Sequence, residues 1–182
     1  DSDCIDYIDI AMCDGFTFLV HRPPGVIEAI RQQLERGIEL GPQSRLAGEV
    51  AELAGELTGL PRVAFCNTGS EAVMVAIRLA RAVTGRDKIV IFSNSYHGTF
   101  DSVLATRVED RTWPTAIGIP QTMVEDILVL NYGSDEALEQ IAEQADSLAA
   151  VLVEPVQSRN PALVPIEFTR RLRELTSHHD IA

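Results

Sequence analysis

From residue 61 onward, the sequence alternates between short apolar segments and longer segments of helical periodicity. The apolar segments are Arg62–Cys66, Lys88–Phe92, Ile127–Leu130 and Ala149–Val153. The helical segments are Glu71–Thr84, Ser134–Ala145 and Pro165–Ser177. Short strands that alternate with helices are typical of βαβ units. We therefore predict an α/β fold, in which a mostly parallel sheet carries helices on both of its faces.

The first 60 residues follow a different pattern. Two β-like pieces, IDYIDI and FTFLV, precede a helix that begins at Pro23-Pro24-Gly25 and stops near Gly37. A second helix is predicted to be capped by Ser44 and ended by Gly59. Residues 1–60 are thus predicted to form an N-terminal segment with helices, which leads into an α/β part at residues 61–182.

One segment between the predicted strands shows no regular pattern. Residues 106–126 contain Trp113-Pro114 and Pro120, which interrupt both helix and strand. Long irregular segments in compact domains are commonly functional loops. We predict that this segment is an excursion over the surface or over the mouth of an active site.

Charge and cysteine content exclude several classes of protein. The 182 residues carry 27 acidic and 15 basic side chains, a net charge of −12, which disfavours nucleic acids and anionic membranes as partners. Cys4, Cys13 and Cys66 have neither metal-site nor disulfide-framework spacing. No signal peptide or membrane span is apparent. These features predict a cytoplasmic protein that binds no metal, no nucleic acid and no membrane.

The stretch Asn67-Thr68-Gly69-Ser70-Glu71 joins the first predicted strand to a helix. Thr68 and Glu71 match a capping box, in which the side chain of each residue accepts the backbone N–H of the other. A helix start also offers unpaired N–H groups and a positive dipole end to an anion, with Gly69 allowing close approach and Ser70 adding a hydroxyl. Neither the Walker pattern nor G-x-G-x-x-G is present. On these residues alone, a plain helix cap and a phosphate site both remain open.

Two further stretches follow predicted strands at the end where α/β proteins bind ligands. Tyr96-His97-Gly98 follows the second strand, and its aromatic ring could stack on a planar ligand or pack in the core. Glu154 follows the last strand and precedes Pro155, so that Glu154 and Gln157 would face the same crevice as Tyr96. A carboxylate there needs a cation or a hydrogen-bond donor, unless Glu154 is simply a surface residue at a strand end.

In their order and spacing, these three stretches resemble the class III aminotransferases, which are pyridoxal-phosphate (PLP) enzymes of fold type I. The matching residues are Asn67-Thr68-Gly69-Ser70-Glu71-Ala72 with AIRLARAVTGRDKIVIF after them, Ser95-Tyr96-His97-Gly98, and Val153-Glu154-Pro155-Val156-Gln157. The resemblance extends from about Ile8 to the end. Within the class, the chain looks closest to the glutamate-1-semialdehyde aminomutase group, and to relatives embedded in polyketide and nonribosomal peptide synthases.

The resemblance implies a cofactor, a fold and a set of site residues. Gly69 and Ser70 would bind the PLP phosphate, Tyr96 would stack on the pyridine ring, and His97 and Gly98 would shape that wall. The crevice near the substrate would hold Glu154 and Gln157. The substrate would be a small-molecule or carrier-bound amino or keto compound. The protein would be a homodimer, and residues 61–182 would be part of the large PLP-binding domain.

Two functional groups of the family have no counterpart in these 182 residues. The family's aspartate for the pyridine nitrogen follows the strand that begins here at Asp180-Ile181-Ala182, and its Schiff-base lysine comes much later. Lys88 is the only lysine, and it lies at the start of a strand, opposite the crevice. We therefore expect no catalytic residue here and a truncated domain that is inactive alone, with strand Arg62–Cys66 lacking its neighbour.

Two other functions are compatible with the sequence. A non-catalytic α/β module with a scaffold or assembly role would explain the lack of a usable lysine. A nucleotide-binding Rossmann domain is weakened by the absent glycine fingerprint. Binding of adenine nucleotides without binding of PLP would favour the nucleotide-binding domain.

Overall fold

The computed structural model describes residues 3, 5–13, 17–38 and 44–182, and these form two compact units, Asp1–Ala64 and Phe65–Ala182. The first unit contains helices α1 (Pro24–Arg36) and α2 (Arg45–Thr58). Gly59 ends α2 in the left-handed conformation, with its N–H bonded to the Gly55 carbonyl, as expected of a helix-ending glycine. Neither helix buries a residue, although both carry an apolar stripe.

The β-like pieces of the first unit do not become strands. IDYIDI and the described part of FTFLV contain no strand, and Phe16 lies outside the described residues. The Asp9 carboxylate instead accepts the amides of Ala11 and Met12, at 3.0 and 2.9 Å. An aspartate that bonds the backbone two or three residues ahead stabilises a turn, which competes with extended pairing.

The second unit is built on a parallel sheet of three strands in the order β4-β1-β5. The strands are β1 (Lys88–Phe92), β4 (Ile127–Leu130) and β5 (Leu148–Val151). Strand β1 is central, and its last four residues are buried. A near-continuous apolar strand with a parallel neighbour on each side is typical of a sheet that is covered on both faces.

Helices cover both faces of this sheet, as predicted. The described residues of the unit form three α-helices. Helix α3 (Gly69–Thr84) precedes β1, α4 (Asp135–Glu143) follows β4, and α5 (Ile166–His178) follows β5. One core cluster joins Ile89 and Ile91 to Ile77 of α3. The other joins Val90 and Phe92 to residues of α4 and α5. Alternate residues of β1 thus face opposite cores, as strand geometry requires.

The predicted excursion at 106–126 contains regular structure that the sequence analysis missed. Strands β2 (Ala105–Val108) and β3 (Arg111–Pro114) form an antiparallel hairpin, and a short 3-10 helix follows at Gln121–Met123. The two-residue loop places Glu109 at φ +54°. Two-residue hairpin turns are usually recognised in a sequence by Asn-Gly or Asp-Gly. Glutamate rarely adopts a positive φ, so the sequence did not indicate a turn at Glu109.

The first predicted strand, Arg62–Cys66, is also absent as a strand. Among the residues that the structure describes, no strand runs beside it, so it has no ladder of hydrogen bonds to form. At the far end of the unit, Ala182 donates to the Ala149 carbonyl and accepts from the Val151 amide, at 3.1 and 2.9 Å. This is the bonding of a residue that lies parallel to β5.

Among the described residues, no helix combines the length and the apolar character needed to cross a bilayer.

Candidate functional site

Three segments meet at the carboxyl edge of the sheet. They are the start of α3, the loop at residues 93–99 after β1, and residues 154–158 beyond β5. Hydrogen bonds connect the loop at residues 93–99 to each of the other two segments. The parallel topology therefore brings together the three stretches that the sequence analysis singled out.

A complete capping box forms the start of α3. The Thr68 hydroxyl accepts the Glu71 amide at 3.1 Å, and the Glu71 carboxylate accepts the amides of Asn67 and Thr68 at 2.7 and 3.2 Å. Within the described part of the chain, the amides of Gly69 and Ser70 have no hydrogen-bond partner. A Cβ built on Gly69 would meet nothing within 4 Å. The helix start thus keeps two amides available as donors, with open space beside Gly69.

The Ser70 side chain ties this helix start to the loop after β1. Its Oγ accepts the Thr99 amide at 3.1 Å and lies 3.5 Å from the Thr99 hydroxyl. Gly98 makes the approach possible, because a Cβ there would lie 2.7 Å from Ser70 Oγ and 3.0 Å from Ser70 Cα. Gly98 also has φ +112°, which side-chain-bearing residues rarely adopt.

Tyr96 lies in the same loop, and 52% of the residue's surface is exposed. Its backbone N–H donates to Glu154 Oε2 at 3.1 Å. The loop before it turns sharply, with Asn94 at φ +66° and Ser95 Oγ donating to the Phe92 carbonyl at 2.5 Å. A ring exposed in this way is available to stack on a planar group.

His97 is held in its neutral form by its surroundings. Burial lowers the pKa of the imidazole below 6.5, and this outweighs the nearby Glu154 carboxylate, which acts to raise it. The Nε2 atom of His97 is buried and has no hydrogen-bond partner among the described residues. An orphaned buried nitrogen beside three converging segments is a candidate contact for a bound molecule.

Glu154 uses both carboxylate oxygens on backbone amides. Oε2 accepts from Tyr96, and Oε1 accepts the Ser158 amide at 2.8 Å. Burial acts to raise the pKa of this carboxyl, but the donors at Ser158 and Tyr96, with a smaller contribution from His97, hold it below its ordinary value. Glu154 is therefore ionised at neutral pH and already has partners.

Gln157 is buried, with 1% of its surface exposed. Its side-chain amide donates to the Ser93 carbonyl at 2.8 Å, across a separation of 64 residues. The predicted site residues at Gly69, Ser70, Tyr96, His97, Gly98, Glu154 and Gln157 all lie at this one edge of the sheet. The sequence analysis missed Thr99 and Ser158, because both take part through backbone amides, which give no signal in a sequence.

Lys88 lies at the opposite edge. It is the first residue of β1, and its Nζ donates to Gln144 Oε1 at 2.9 Å. The other four residues of β1 separate it from the loop that carries Tyr96, a span of about 13 Å. The prediction that Lys88 occupies the amino end of the strand, opposite the crevice, is confirmed.

The sequence matches the family described as Aminotransferase class-III along residues 1–182. It is 40% identical to the glutamate-1-semialdehyde 2,1-aminomutase of Caldivirga maquilingensis, over 97% of this chain and 43% of that protein. Among solved structures, an omega-transaminase from Sphaerobacter thermophilus has a TM-score of 0.79 and 34% identity, over 87% of this chain and 39% of that one.

A variant glutamate-1-semialdehyde-aminomutase from Pseudomonas aeruginosa PAO1, solved in complex with PMP, has a TM-score of 0.82 and 30% identity. The match covers 97% of this chain and 40% of that chain. The chain thus spans about two fifths of the length of these relatives.

Proposed function

The chain belongs to the class III aminotransferases, and on this premise we propose that the whole protein transfers an amino group with PLP as its cofactor. Residues 61–182 would supply part of the large, cofactor-binding domain. The observation that carries the proposal is the helix start at Gly69 and Ser70, whose amides have no partner among the described residues, next to the loop that carries the exposed Tyr96.

These residues fit a group that combines a phosphate with a flat ring. The amides of Gly69 and Ser70 and the Ser70 hydroxyl are donors at the positive end of a 16-residue helix. Thr99 already donates to Ser70 Oγ, which leaves the hydroxyl proton free to point away from that amide. The carboxylate of the cap, Glu71, accepts the amides of Asn67 and Thr68, and among the described residues it leaves those of Gly69 and Ser70 free.

When bound, PLP supplies an electron sink for the bonds broken at the substrate's amino-bearing carbon. The residues of this chain would bind and orient it: Gly69 and Ser70 at the phosphate, and Tyr96 against the ring face. His97 would contribute an unpartnered Nε2 on the same wall.

We propose no catalytic residue within this chain. Lys88 is its only lysine, and it donates to Gln144 at the edge of the sheet opposite Tyr96. The group that exchanges protons with the substrate would therefore come from residues other than 1–182, and these residues alone would bind cofactor without turning over.

The finer assignments rest on the relatives. Curated relatives named glutamate-1-semialdehyde 2,1-aminomutase support a small amino or keto substrate of that kind. A carrier-bound keto substrate, as in synthase-embedded relatives, is the alternative that the resemblance raised. We further propose a cytoplasmic homodimer, on the resemblance to the family.

The test is a titration of the chain with PLP, followed by absorption in the visible range, then borohydride reduction and peptide mass mapping. We expect saturable binding that inorganic phosphate competes away, with no reduced adduct on Lys88. Ser70→Ala removes one donor to a charged group and should weaken PLP binding roughly tenfold. Ser177→Ala, at an exposed position on α5, is the matched control and should bind as the unaltered chain does.

A reduced adduct at Lys88 would contradict the proposal that this lysine has no catalytic role. Absence of PLP binding, or equal affinities for Ser70→Ala and Ser177→Ala, would contradict the phosphate site. Binding of adenine nucleotides in place of PLP would favour the nucleotide-binding alternative. Binding by the whole protein without amino transfer would favour a non-catalytic module.

A further inference from the structure

Glu154 joins two loops that are far apart in the sequence. Its carboxylate accepts the Tyr96 amide, 58 residues away, and the Ser158 amide in its own segment. Charge-assisted hydrogen bonds of this kind are stronger than neutral ones and fix orientation. The carboxylate thus acts as a bridge between the ends of β1 and β5.

Gln157 adds a second connection between the same two loops. Its buried side-chain amide donates to the Ser93 carbonyl, at the start of the loop that carries Tyr96. The segment that provides both connections is itself anchored, because the Tyr132 hydroxyl donates to the Pro155 carbonyl at 3.0 Å. The Tyr132 ring contacts Phe92 and Phe168 within the core.

We propose that Glu154 and Gln157 are positioning residues that hold the ring of Tyr96 in place through its backbone, and that neither acts by contacting the substrate. The proposal rests on the proposed function, since the group that Tyr96 would face is PLP. It departs from the prediction that these two side chains line the substrate crevice.

The exposure of Tyr96 is the physical reason for this assignment. More than half of its surface is accessible, so core packing does not fix the ring. Its position instead follows from the backbone, which is held at Ser93 by Gln157, at Tyr96 by Glu154 and at Thr99 by Ser70. Removing the central bond leaves the Tyr96 amide without its acceptor and frees the loop between two distant attachments.

The first experiment measures amide hydrogen exchange in the 182-residue chain without cofactor. Glu154→Ala should speed exchange at Tyr96 and Ser158 by about tenfold or more, because each amide loses a charged acceptor. Glu154→Gln keeps one acceptor oxygen and should deprotect only one of the two amides strongly. Glu139→Gln removes an exposed carboxylate from α4, where it has no ion pair among the described residues, and should change neither.

The second experiment measures PLP affinity in a double-mutant cycle. Tyr96→Ala and Glu154→Ala should each weaken binding several-fold, and the double variant should be no weaker than Tyr96→Ala alone, because Glu154 acts through the ring. Gln157→Leu, which keeps the buried volume but loses the donor, should show the same dependence on Tyr96. A purely structural role for Glu154 would give additive losses.

The outcomes separate this proposal from the proposed function. Unchanged exchange at Tyr96 in Glu154→Ala overturns the proposal, and so do additive losses in the cycle. If the unaltered chain binds no PLP while Glu154→Ala deprotects Tyr96, the proposed function fails, and the bridge between the loops stands on the exchange data alone.

Discussion

The two edges of the parallel sheet carry polar residues that are used in opposite ways. At the amino edge, cationic side chains donate: Lys88 to Gln144, and one guanidinium nitrogen of Arg86 to the carbonyls of Leu148, His179 and Asp180. At the carboxyl edge, acidic and hydroxyl side chains accept: Glu71 and Glu154 each take two backbone amides.

The difference explains how a chain with a net charge of −12 can offer an anion site. The cations at the amino edge are already bonded to the protein, while the carboxylates of Glu71 and Glu154 at the carboxyl edge already accept backbone amides. Among the described residues, the backbone amides of Gly69 and Ser70 remain without an acceptor. Local donors, and not net charge, therefore decide where an anion binds.

The largest effect should come from the contact that closes the carboxyl edge. Gly98→Ala places a methyl group within 3.0 Å of Ser70 at a φ of +112°. Backbone strain of about 1–3 kcal/mol and overpacking of about 1–3 kcal/mol should together lower the free energy of unfolding, and PLP binding should be lost with the Ser70 geometry. Denaturant unfolding and the PLP titration measure the two effects.

Gly118→Ala is the control for that substitution. Gly118 has φ +98°, but a Cβ there would meet nothing within 4 Å. It should lower stability by the backbone strain alone and leave PLP affinity unchanged. Equal losses for the two alanine variants would mean that the contact with Ser70 is unimportant, and the carboxyl edge would then not be closed by Gly98.

A smaller effect should appear in the pH dependence of stability. Burial lowers the pKa of His97, so the unfolded chain takes up a proton at a higher pH than the folded chain does. The stability that His97 contributes is complete above about pH 6.5, which is the ordinary pKa of a histidine. It is lost as the pH falls from there through the lower pKa of the folded chain. Glu154, whose pKa is also lowered, loses its contribution at more acidic pH.

Urea unfolding at pH 7.5 and pH 5.5 tests the His97 contribution. His97→Gln should reduce the loss of stability between these two values, whereas His178→Gln, at an exposed position on α5, should leave it as it is. A loss that is the same in His97→Gln and in the unaltered chain would show that His97 is not buried in its neutral form in solution.

The smallest effect should come from the amino edge. Lys88→Met removes the hydrogen bond to Gln144 and should lower the free energy of unfolding by about 1 kcal/mol or less. PLP affinity should not change, because the whole length of β1 separates the side chain from the site. A weaker PLP affinity in Lys88→Met would contradict the assignment of ligand binding to the carboxyl edge of the sheet.

Much of the sheet could be read from the sequence because it follows simple periodicities. Strands β1 and β4 match their predicted bounds, and α3 begins two residues before its predicted start, since Gly69 and Ser70 already belong to the helix. Apolar runs bounded by caps and glycines determine these elements locally. The placement of the three motifs at one edge follows from parallel strand direction.

What could not be predicted depends on partners rather than on local pattern. Residues 62–66 have a strand composition but no strand to pair with among the described residues, and the β2–β3 hairpin turns at a glutamate that no turn rule favours. The bonds from Glu154 and Gln157 end on the Tyr96 amide and the Ser93 carbonyl, and almost every residue type has these backbone groups. The direction of those two side chains was therefore invisible until the fold was known.

The central position of β1 also affects how the chain folds during its synthesis. Lys88 pairs with Leu148, so one edge of β1 has no hydrogen-bonded neighbour until β5, 60 positions later, has been synthesised. At roughly 5–20 residues per second, translation of that interval takes about 3–12 s. During this time KIVIF, an apolar β-forming run with an unpaired edge, is exposed to other nascent chains. The strand that builds the site is thus also a segment prone to aggregation until its second neighbour has been synthesised.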